Sequence, residues 1–291
     1  MAQDKKFYIA VLLITLIVVI NYGYRNFYYN QNRLAVKNNY MMANKSFDYI
    51  VVGGSNAKWG IDTSDYKSFN SDIANVSISS GGFVFKNYAD HLKNLNIKSK
   101  NIIYSSYDIL QLNKNASLDD VGLDLYGAKI NRHFFASHRL INSIQKNIKN
   151  TLKTYNLIPD HYQMNNLGNF HNFNCNSNKK IDPIKPGLFD EGKANEFIKR
   201  VSTLKSVFGA SDVILRFPII YINGDRQAEW EQYIDSLRKF CLKNNIHLYI
   251  SAKPLYTDQA YFCNYAHHPN EKLQQKISDE LFVDFLHLKL K

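Results

Sequence analysis

The chain has 291 residues, of which 45% are hydrophobic, and its formal net charge at pH 7 is +11. The lysines are scattered along the whole length without a dense basic block, so the charge does not indicate a nucleic-acid binder. Three widely separated cysteines, Cys175, Cys241 and Cys263, exclude a cysteine metal site and a disulfide framework, although they leave room for a single disulfide bond.

The N-terminal segment predicts a membrane anchor over residues 1–24. The stretch "FYIAVLLITLIVVI", from Phe7 to Ile20, is uncharged and continues into a tyrosine-rich segment of interfacial character. No small-residue cleavage site follows it, so the pattern favours an uncleaved signal anchor. The alternative is a buried N-terminal helix of a protein without an anchor. Residues 25–46 are polar with interspersed aromatics and are interpreted as a juxtamembrane tether.

The first half of the remaining chain alternates between strand and helix patterns. The apolar run "FDYIVVGG" predicts a buried strand, and two further strands are predicted at Ile73–Ile78 and Ile102–Tyr107. Between these two, "FVFKNYADHLKNL" has apolar residues at helical spacing. This alternation predicts a central parallel sheet with flanking helices.

The second half of the chain repeats the alternation after an irregular middle region. Residues 113–205 are interpreted as a variable insertion, with helix-like pieces at Arg139–Leu157 and an exposed, Asn-rich loop at Asn165–Lys180. After the insertion, "DVILRFPII" and "IHLYISAKPLY" predict strands on either side of an amphipathic helix, and a last helix begins after Pro269 and Asn270. Residues 47–291 are therefore predicted to form one α/β domain.

A serine lies where the first predicted strand ends. In parallel sheets, ligands bind beyond the carboxyl ends of the strands, and Ser55 follows two glycines at such an end. A hydroxyl next to free backbone amides suits a nucleophile with part of an oxyanion hole. Glycine and serine also form ordinary turns and helix caps, so the stretch alone leaves both interpretations open.

A serine nucleophile needs a base, and the segment "CNYAHHPNEKLQQ" supplies His267 and His268 at the start of the last helix. The remaining histidines are scattered, and no His, Cys, Asp and Glu cluster has metal-ligand spacing, so neither a metal nor a cofactor is expected. A nucleotide-binding function built on "GGSNAKWG" is disfavoured, because the chain lacks both a Walker lysine and a G-x-G-x-x-G turn.

Three blocks in this order resemble the SGNH (GDSL-like) hydrolase superfamily: "GGSNAKWGID" after a strand, "NVSISSGG" about twenty residues later, and "HHPNEK" opening the last helix. The sequence is most similar to membrane-anchored members that modify bacterial envelope polymers, such as the teichoic acid D-alanyl transfer protein and alginate O-acetylation proteins. The resemblance implies a three-layer, flavodoxin-like SGNH hydrolase fold.

The resemblance also implies roles for individual residues. Ser55 is the expected nucleophile and His268 the expected base, with His267 as the alternative. Neither histidine has an aspartate three positions before it, and Asp258, further upstream, is the expected carboxylate if the loop folds back. The predicted oxyanion or substrate-binding residues lie after the strands: Gly54, Asn56, Gly81, Gly82 and Ser106.

Two classes of function follow from the resemblance. The first is an esterase or O-acyltransferase that removes or transfers acyl groups, acetyl foremost, on a cell-envelope polysaccharide. It would be anchored once in the bacterial inner membrane, with its folded domain facing the periplasm or the cell exterior and with a membrane-bound acyltransferase as an expected partner. The second is a catalytically inactive binding or assembly component of a polysaccharide acylation or export system, favoured by the absent aspartate.

Overall fold

The structure is a computed structural model. It describes residues 43–63, 73–77, 85–105, 107–110, 163–164, 170–171, 180–263 and 265–287, and five single residues before them: Tyr8, Val11, Leu12, Thr15 and Met41. Most of the predicted anchor, tether and insertion lies outside these residues, as do the helix-like pieces at Arg139–Leu157. Within the described part of the chain, no helix is long and apolar enough to cross a membrane.

A five-stranded sheet forms the centre of the domain, and every pair of neighbouring strands is parallel. The order across the sheet is β2-β1-β3-β6-β8. The strands are β1 (Ser46–Gly53), β2 (Ile73–Asn75), β3 (Lys98–Ser105), β6 (Asp212–Arg216) and β8 (His247–Tyr249). The parallel α/β architecture predicted from the sequence is thereby confirmed.

Two small strand pairs and five α-helices accompany the sheet in the described residues, together with the short 3-10 helices Tyr107–Leu110, Gly224–Arg226 and Gln259–Tyr261. The pairs are antiparallel β4 (Gln163–Met164) with β5 (Phe170–His171), and parallel β7 (Ile220–Tyr221) with β9 (Leu255–Tyr256). The helices are α1 (Ser55–Gly60), α2 (Phe85–Leu95), α3 (Glu191–Phe208), α4 (Gln227–Lys243) and α5 (Glu271–Asp279), which continues as a π-helical segment, Glu280–Phe285.

Each face of the sheet carries its own hydrophobic core, because successive side chains of a strand point to opposite faces. On one face, Val52 and Tyr104 belong to a large cluster that includes apolar residues of α2, α3 and α4. On the other face, Val51 and Ile103 pack with Ala57 of α1 and with residues of the π-helical segment. The result is a three-layer arrangement with α1 on the smaller side.

Helix α4 buries the apolar stripe predicted for it, which includes Trp230, Leu237 and Cys241. The two strands predicted on either side of α4 are shorter than expected, since each is divided in two. Pro218 separates β6 from β7, and Pro254 separates β8 from β9. Proline has no N–H to donate to a central ladder, so the interior strand β6 ends before Pro218, whereas the edge strand β8 ends at Tyr249, well ahead of Pro254.

Candidate active site

Gly53 ends strand β1 with a positive φ of 156° where it lies against β3 at the carboxyl edge of the sheet. It is paired in register with Ser105, and a Cβ at position 53 would collide with the carbonyl oxygen of Ser105. Glycine is therefore required here for a close backbone approach. The next residue, Gly54, occupies the N-cap position of α1. Together these two glycines end the strand and begin the helix at Ser55.

Helix α1 is short, and it is held in place by the end of strand β2. The Asn75 side chain donates hydrogen bonds to the carbonyl oxygens of Ala57 at 3.2 Å and of Ile61 at 2.7 Å. Its own oxygen accepts the amide of Ser77 at 3.0 Å. Strand β2 ends at Asn75, short of the predicted end at Ile78, and the Asn75 side chain accepts the amide of Ser77 just beyond the strand.

The histidine loop, residues 262–269 with residue 264 outside the described part, is closed by backbone hydrogen bonds. Phe262 and Pro269 form an antiparallel bridge, and the amide of Cys263 donates to the carbonyl oxygen of His268 at 2.9 Å. The amide of Tyr221 in β7 donates to the carbonyl oxygen of Ala266 at 2.7 Å. The loop is thus tied to strand β7 as well as to itself.

This loop brings His267 to the serine. Ser55 Oγ lies 3.2 Å from His267 Nε2, and the Ser55 side chain is buried, with 5% exposure. The His268 ring is also buried and lies edge-on to the His267 ring, with centroids 4.5 Å apart. The structure therefore places His267, and not the residue favoured by the resemblance, against Ser55.

Burial lowers the pKa of His267 from its ordinary value to about 4. Partial removal of the ring from water disfavours the charged imidazolium, so the ring is neutral at pH 7. A neutral imidazole whose Nε2 lies within hydrogen-bonding reach of a hydroxyl is the form that accepts a proton from it.

The other predicted site residues lie in several places. The Asp258 carboxylate is exposed and accepts the amide of Ala260 at 2.9 Å, which caps a short 3-10 helix, Gln259–Tyr261. Asn56 is buried beside Ser55. Gly81, Gly82 and Ser106, the predicted oxyanion or substrate-binding residues after the second and third strands, lie outside the described residues.

Two buried polar residues beneath the serine were not predicted. Ser105 Oγ accepts a hydrogen bond from Asn56 Nδ2 at 2.9 Å and another from Arg216 Nη1 at 3.2 Å. Burial lowers the pKa of Arg216 to about 10, which leaves the guanidinium charged at pH 7. The sequence signal was available, since a charged residue interrupts the apolar run "DVILRFPII".

In the part of the chain that the structure describes, no three His, Cys, Asp or Glu side chains come together as a metal site. The residues of the site itself supply a buried hydroxyl, a neutral imidazole in contact with it, and a fixed helix start. Such a pair can generate a serine nucleophile for acyl transfer.

No protein-family model matches the chain, and no curated protein matches it. A similar solved structure is a member of the lipolytic protein G-D-S-L family from Veillonella parvula DSM 2008, with 11% identity and a TM-score of 0.40 over 82% of this chain and 98% of that chain. Another is an active-site mutant of a family two carbohydrate esterase from Clostridium thermocellum, with 8% identity and a TM-score of 0.38 over 84% of this chain and 65% of that chain. A third is an acetyl xylan esterase from Butyrivibrio proteoclasticus, with 10% identity and a TM-score of 0.33 over 84% and 64%. At these identities and TM-scores, the functional conclusion depends on the geometry of the site itself.

Proposed function

We propose that this chain is a membrane-anchored, extracytoplasmic serine esterase or O-acyltransferase that acts on acyl groups, acetyl foremost, of a cell-envelope polysaccharide. The observation that carries the proposal is the 3.2 Å contact between Ser55 Oγ and His267 Nε2 at the carboxyl edge of a parallel sheet. Ser55 is the nucleophile and His267 the general base in this proposal.

In the first half of the reaction, Ser55 Oγ attacks the acyl carbon of an ester while His267 Nε2 takes the hydroxyl proton. The carbonyl π electrons move to oxygen and form a tetrahedral oxyanion. When the oxyanion collapses, the bond from the acyl carbon to the alcohol oxygen breaks, and the alcohol leaves with the proton from His267. The acyl group remains as an ester of Ser55. The backbone amide of Ser55 and that of Gly81 or Gly82 are the expected oxyanion donors.

The second half of the reaction repeats these steps with a new nucleophile. Water, or a sugar hydroxyl in the transfer reaction, gives its proton to His267 and attacks the acyl-Ser55 carbonyl. Ser55 Oγ then leaves and recovers the proton from His267 Nε2. The product is a free carboxylic acid in hydrolysis and a new sugar ester in transfer. The acceptor that reaches the acyl-enzyme decides between the two, and the site chemistry is shared.

The redox state of Cys263 supports the extracytoplasmic location. Cys263 is disulfide-bonded, whereas Cys241 is a free, buried thiol. Disulfides persist mainly in oxidising compartments outside the cytoplasm. The uncharged N-terminal stretch in the sequence agrees with a protein that is exported and remains attached to the membrane.

An exposed aromatic ring beside the base supports a carbohydrate substrate. Tyr265 is 55% exposed, and its ring stacks at 5.9 Å from the ring of His267. A large exposed apolar ring beside a reactive group is a feature of binding surfaces. A flat aromatic face with a hydroxyl at its edge suits the mixed apolar and polar faces of a sugar ring.

A catalytically inactive binding or assembly component is the second candidate. The role of Asp258 favours it, because this carboxylate accepts the amide of Ala260 and caps a 3-10 helix instead of taking the predicted triad position. In a Ser-His pair without the carboxylate, the imidazolium that forms during attack loses its stabilising partner, which lowers the rate.

Reaction with a fluorophosphonate probe tests the proposed function on the full-length protein in detergent. An active site forms a covalent Ser55 adduct, which peptide mass spectrometry identifies, and Ser55→Ala abolishes it. Ser99→Ala is the matched control, since Ser99 is also buried but lies at the opposite end of β3. A folded wild type that gives no adduct at Ser55 would replace catalysis with the binding role.

A further inference from the structure

We propose that Arg216 is a positioning residue for the nucleophile, acting on Ser55 through Ser105 and Asn56. The proposal rests on the proposed function, since it concerns the same serine. It assigns a role to a buried charge that the chemistry of the Ser55–His267 pair does not otherwise use.

The location of Arg216 is the first observation. It is the last residue of β6, and only 1% of its surface is exposed. Burying an arginine is expensive unless its donors are used. In the described part of the chain, its Nη1 donates to Ser105 Oγ, whereas Nε and Nη2 make no hydrogen bond. Among the described residues, the hydrogen bond that fixes this guanidinium is therefore the one to Ser105.

The charged surroundings of Arg216 come from two other elements. Tyr249 in β8 pairs in register with Arg216, and Glu280 lies at the start of the π-helical segment. Electrostatic interactions with both groups oppose the lowering of the Arg216 pKa by burial. The Glu280 carboxylate also lies 3.9 Å from Lys276 Nζ. The direct link of the guanidinium to another side chain is thus the bond to Ser105.

Ser105 joins Arg216 to the nucleophile helix. Its hydroxyl oxygen accepts from Arg216 at 3.2 Å and from Asn56 at 2.9 Å, which uses both lone pairs of the oxygen. Asn56 is covalently adjacent to Ser55, and α1 has only six residues. A shift of Asn56 therefore moves Ser55 relative to His267. Reaction rates are sensitive to displacements of about 1 Å between reacting groups.

The test compares kcat per active site, with sites counted by fluorophosphonate titration of the full-length protein in detergent. For 4-nitrophenyl acetate, Arg216→Ala and Ser105→Ala are expected to lower kcat by about tenfold to a hundredfold and to change KM by less than about twofold. Guanidinium at sub-denaturing concentration is expected to restore part of the activity of Arg216→Ala and none of that of Ser105→Ala.

Arg200→Ala is the matched control, because Arg200 is a buried arginine in α3, within the helical layer on the opposite face of the sheet. It is expected to lose thermal stability while keeping the kcat of the wild type per titrated site. If Arg216→Ala fails to fold, Ser105→Ala decides the question.

The outcomes separate the two proposals. If the wild type is reactive and both variants keep its kcat per titrated site, the positioning role is overturned and the proposed function stands. A folded wild type that neither turns over nor labels at Ser55 overturns the proposed function, and the positioning role with it.

Discussion

Ser55 Oγ lies 3.2 Å from His267 Nε2, although 212 positions separate the two residues in the chain. The carboxyl end of β1 positions the serine, and the histidine loop, which is tied to β7, positions the imidazole. The contact therefore depends on the assembled sheet and on one loop beyond it.

The two adjacent histidines are expected to respond differently to substitution. His267→Ala removes the proton acceptor and is expected to lower kcat/KM for 4-nitrophenyl acetate by about 10²- to 10⁴-fold. His268→Gln is expected to lower it by less than about tenfold, because His267 Nε2 supplies the contact with Ser55 Oγ and the His268 ring packs edge-on against the His267 ring. Steady-state kinetics of proteins with matched circular dichroism spectra measure both effects. The reverse order of the two variants would give the base role to His268.

The activity is expected to persist to unusually low pH. Neutral His267 is the active form, and burial lowers its pKa to about 4, so kcat/KM should fall only as the pH decreases through about 4. An ordinary histidine would give an inflection near 6.5. Acetate release, which is measurable where nitrophenol is protonated, provides the profile. His247→Gln is the control, because His247 is exposed and pairs with Asp212 away from the site.

The same shift predicts the direction of a stability change. An unfolded chain protonates this histidine below about 6.5, whereas the folded chain does so only near pH 4. The unfolded state therefore binds more protons between these values, and the free energy of unfolding is expected to decrease as the pH falls through that window. His267→Gln should reduce this pH dependence in urea titrations. An unchanged slope would mean that the imidazole is hydrated in the folded protein.

Gly53→Ala is expected to disrupt the carboxyl edge of the sheet. A Cβ at this position meets the Ser105 carbonyl oxygen, so β1 and β3 must separate, at a cost of more than about 3 kcal/mol in the free energy of unfolding. Gly224→Ala is the matched control, because its Cβ would make an ordinary contact of 3.6 Å with Thr257. Its cost is expected to stay below about 1 kcal/mol. Urea denaturation of both variants checks the difference, and equal stabilities would contradict the close approach.

The cysteine content gives a chemical test of the disulfide. Under denaturing, non-reducing conditions we expect one thiol per chain to react with Ellman's reagent, and three after reduction, because Cys263 is disulfide-bonded and Cys241 is free. In the folded protein, burial raises the pKa of Cys241 to about 12, so its reaction at pH 8 should be slow. Three reactive thiols before reduction would show that the disulfide is absent.

Tyr265→Ala separates sugar binding from chemistry. If the exposed ring supports a sugar, the variant should raise KM for an acetylated oligosaccharide by about tenfold, equivalent to about 1.4 kcal/mol, and leave hydrolysis of 4-nitrophenyl acetate nearly unchanged. Tyr261→Ala is the control, since Tyr261 is partly exposed but packs on Tyr256. Equal losses on both substrates would instead assign Tyr265 to the support of His267.

Much of the architecture could be predicted locally. The apolar run before Gly53 predicts a buried strand, and the spacing of Trp230 and Leu237 in α4 predicts a helix with one buried face. Both predictions use only the spacing of apolar residues along the chain. The division of two predicted strands could also have been found, because Pro218 and Pro254 lie inside them.

The sequence by itself determined the parallel α/β sheet and the position of Ser55 at its carboxyl edge, because strand patterns and glycine turns act over a few residues. Only the tertiary structure decided that His267 faces this serine, that Asp258 caps a helix, and that Arg216 reaches Asn56 through Ser105. The physical reason is that side-chain direction in a loop, and hydrogen bonds between strand ends, depend on how distant segments pack together. The local propensities of single residues do not predict how distant segments pack.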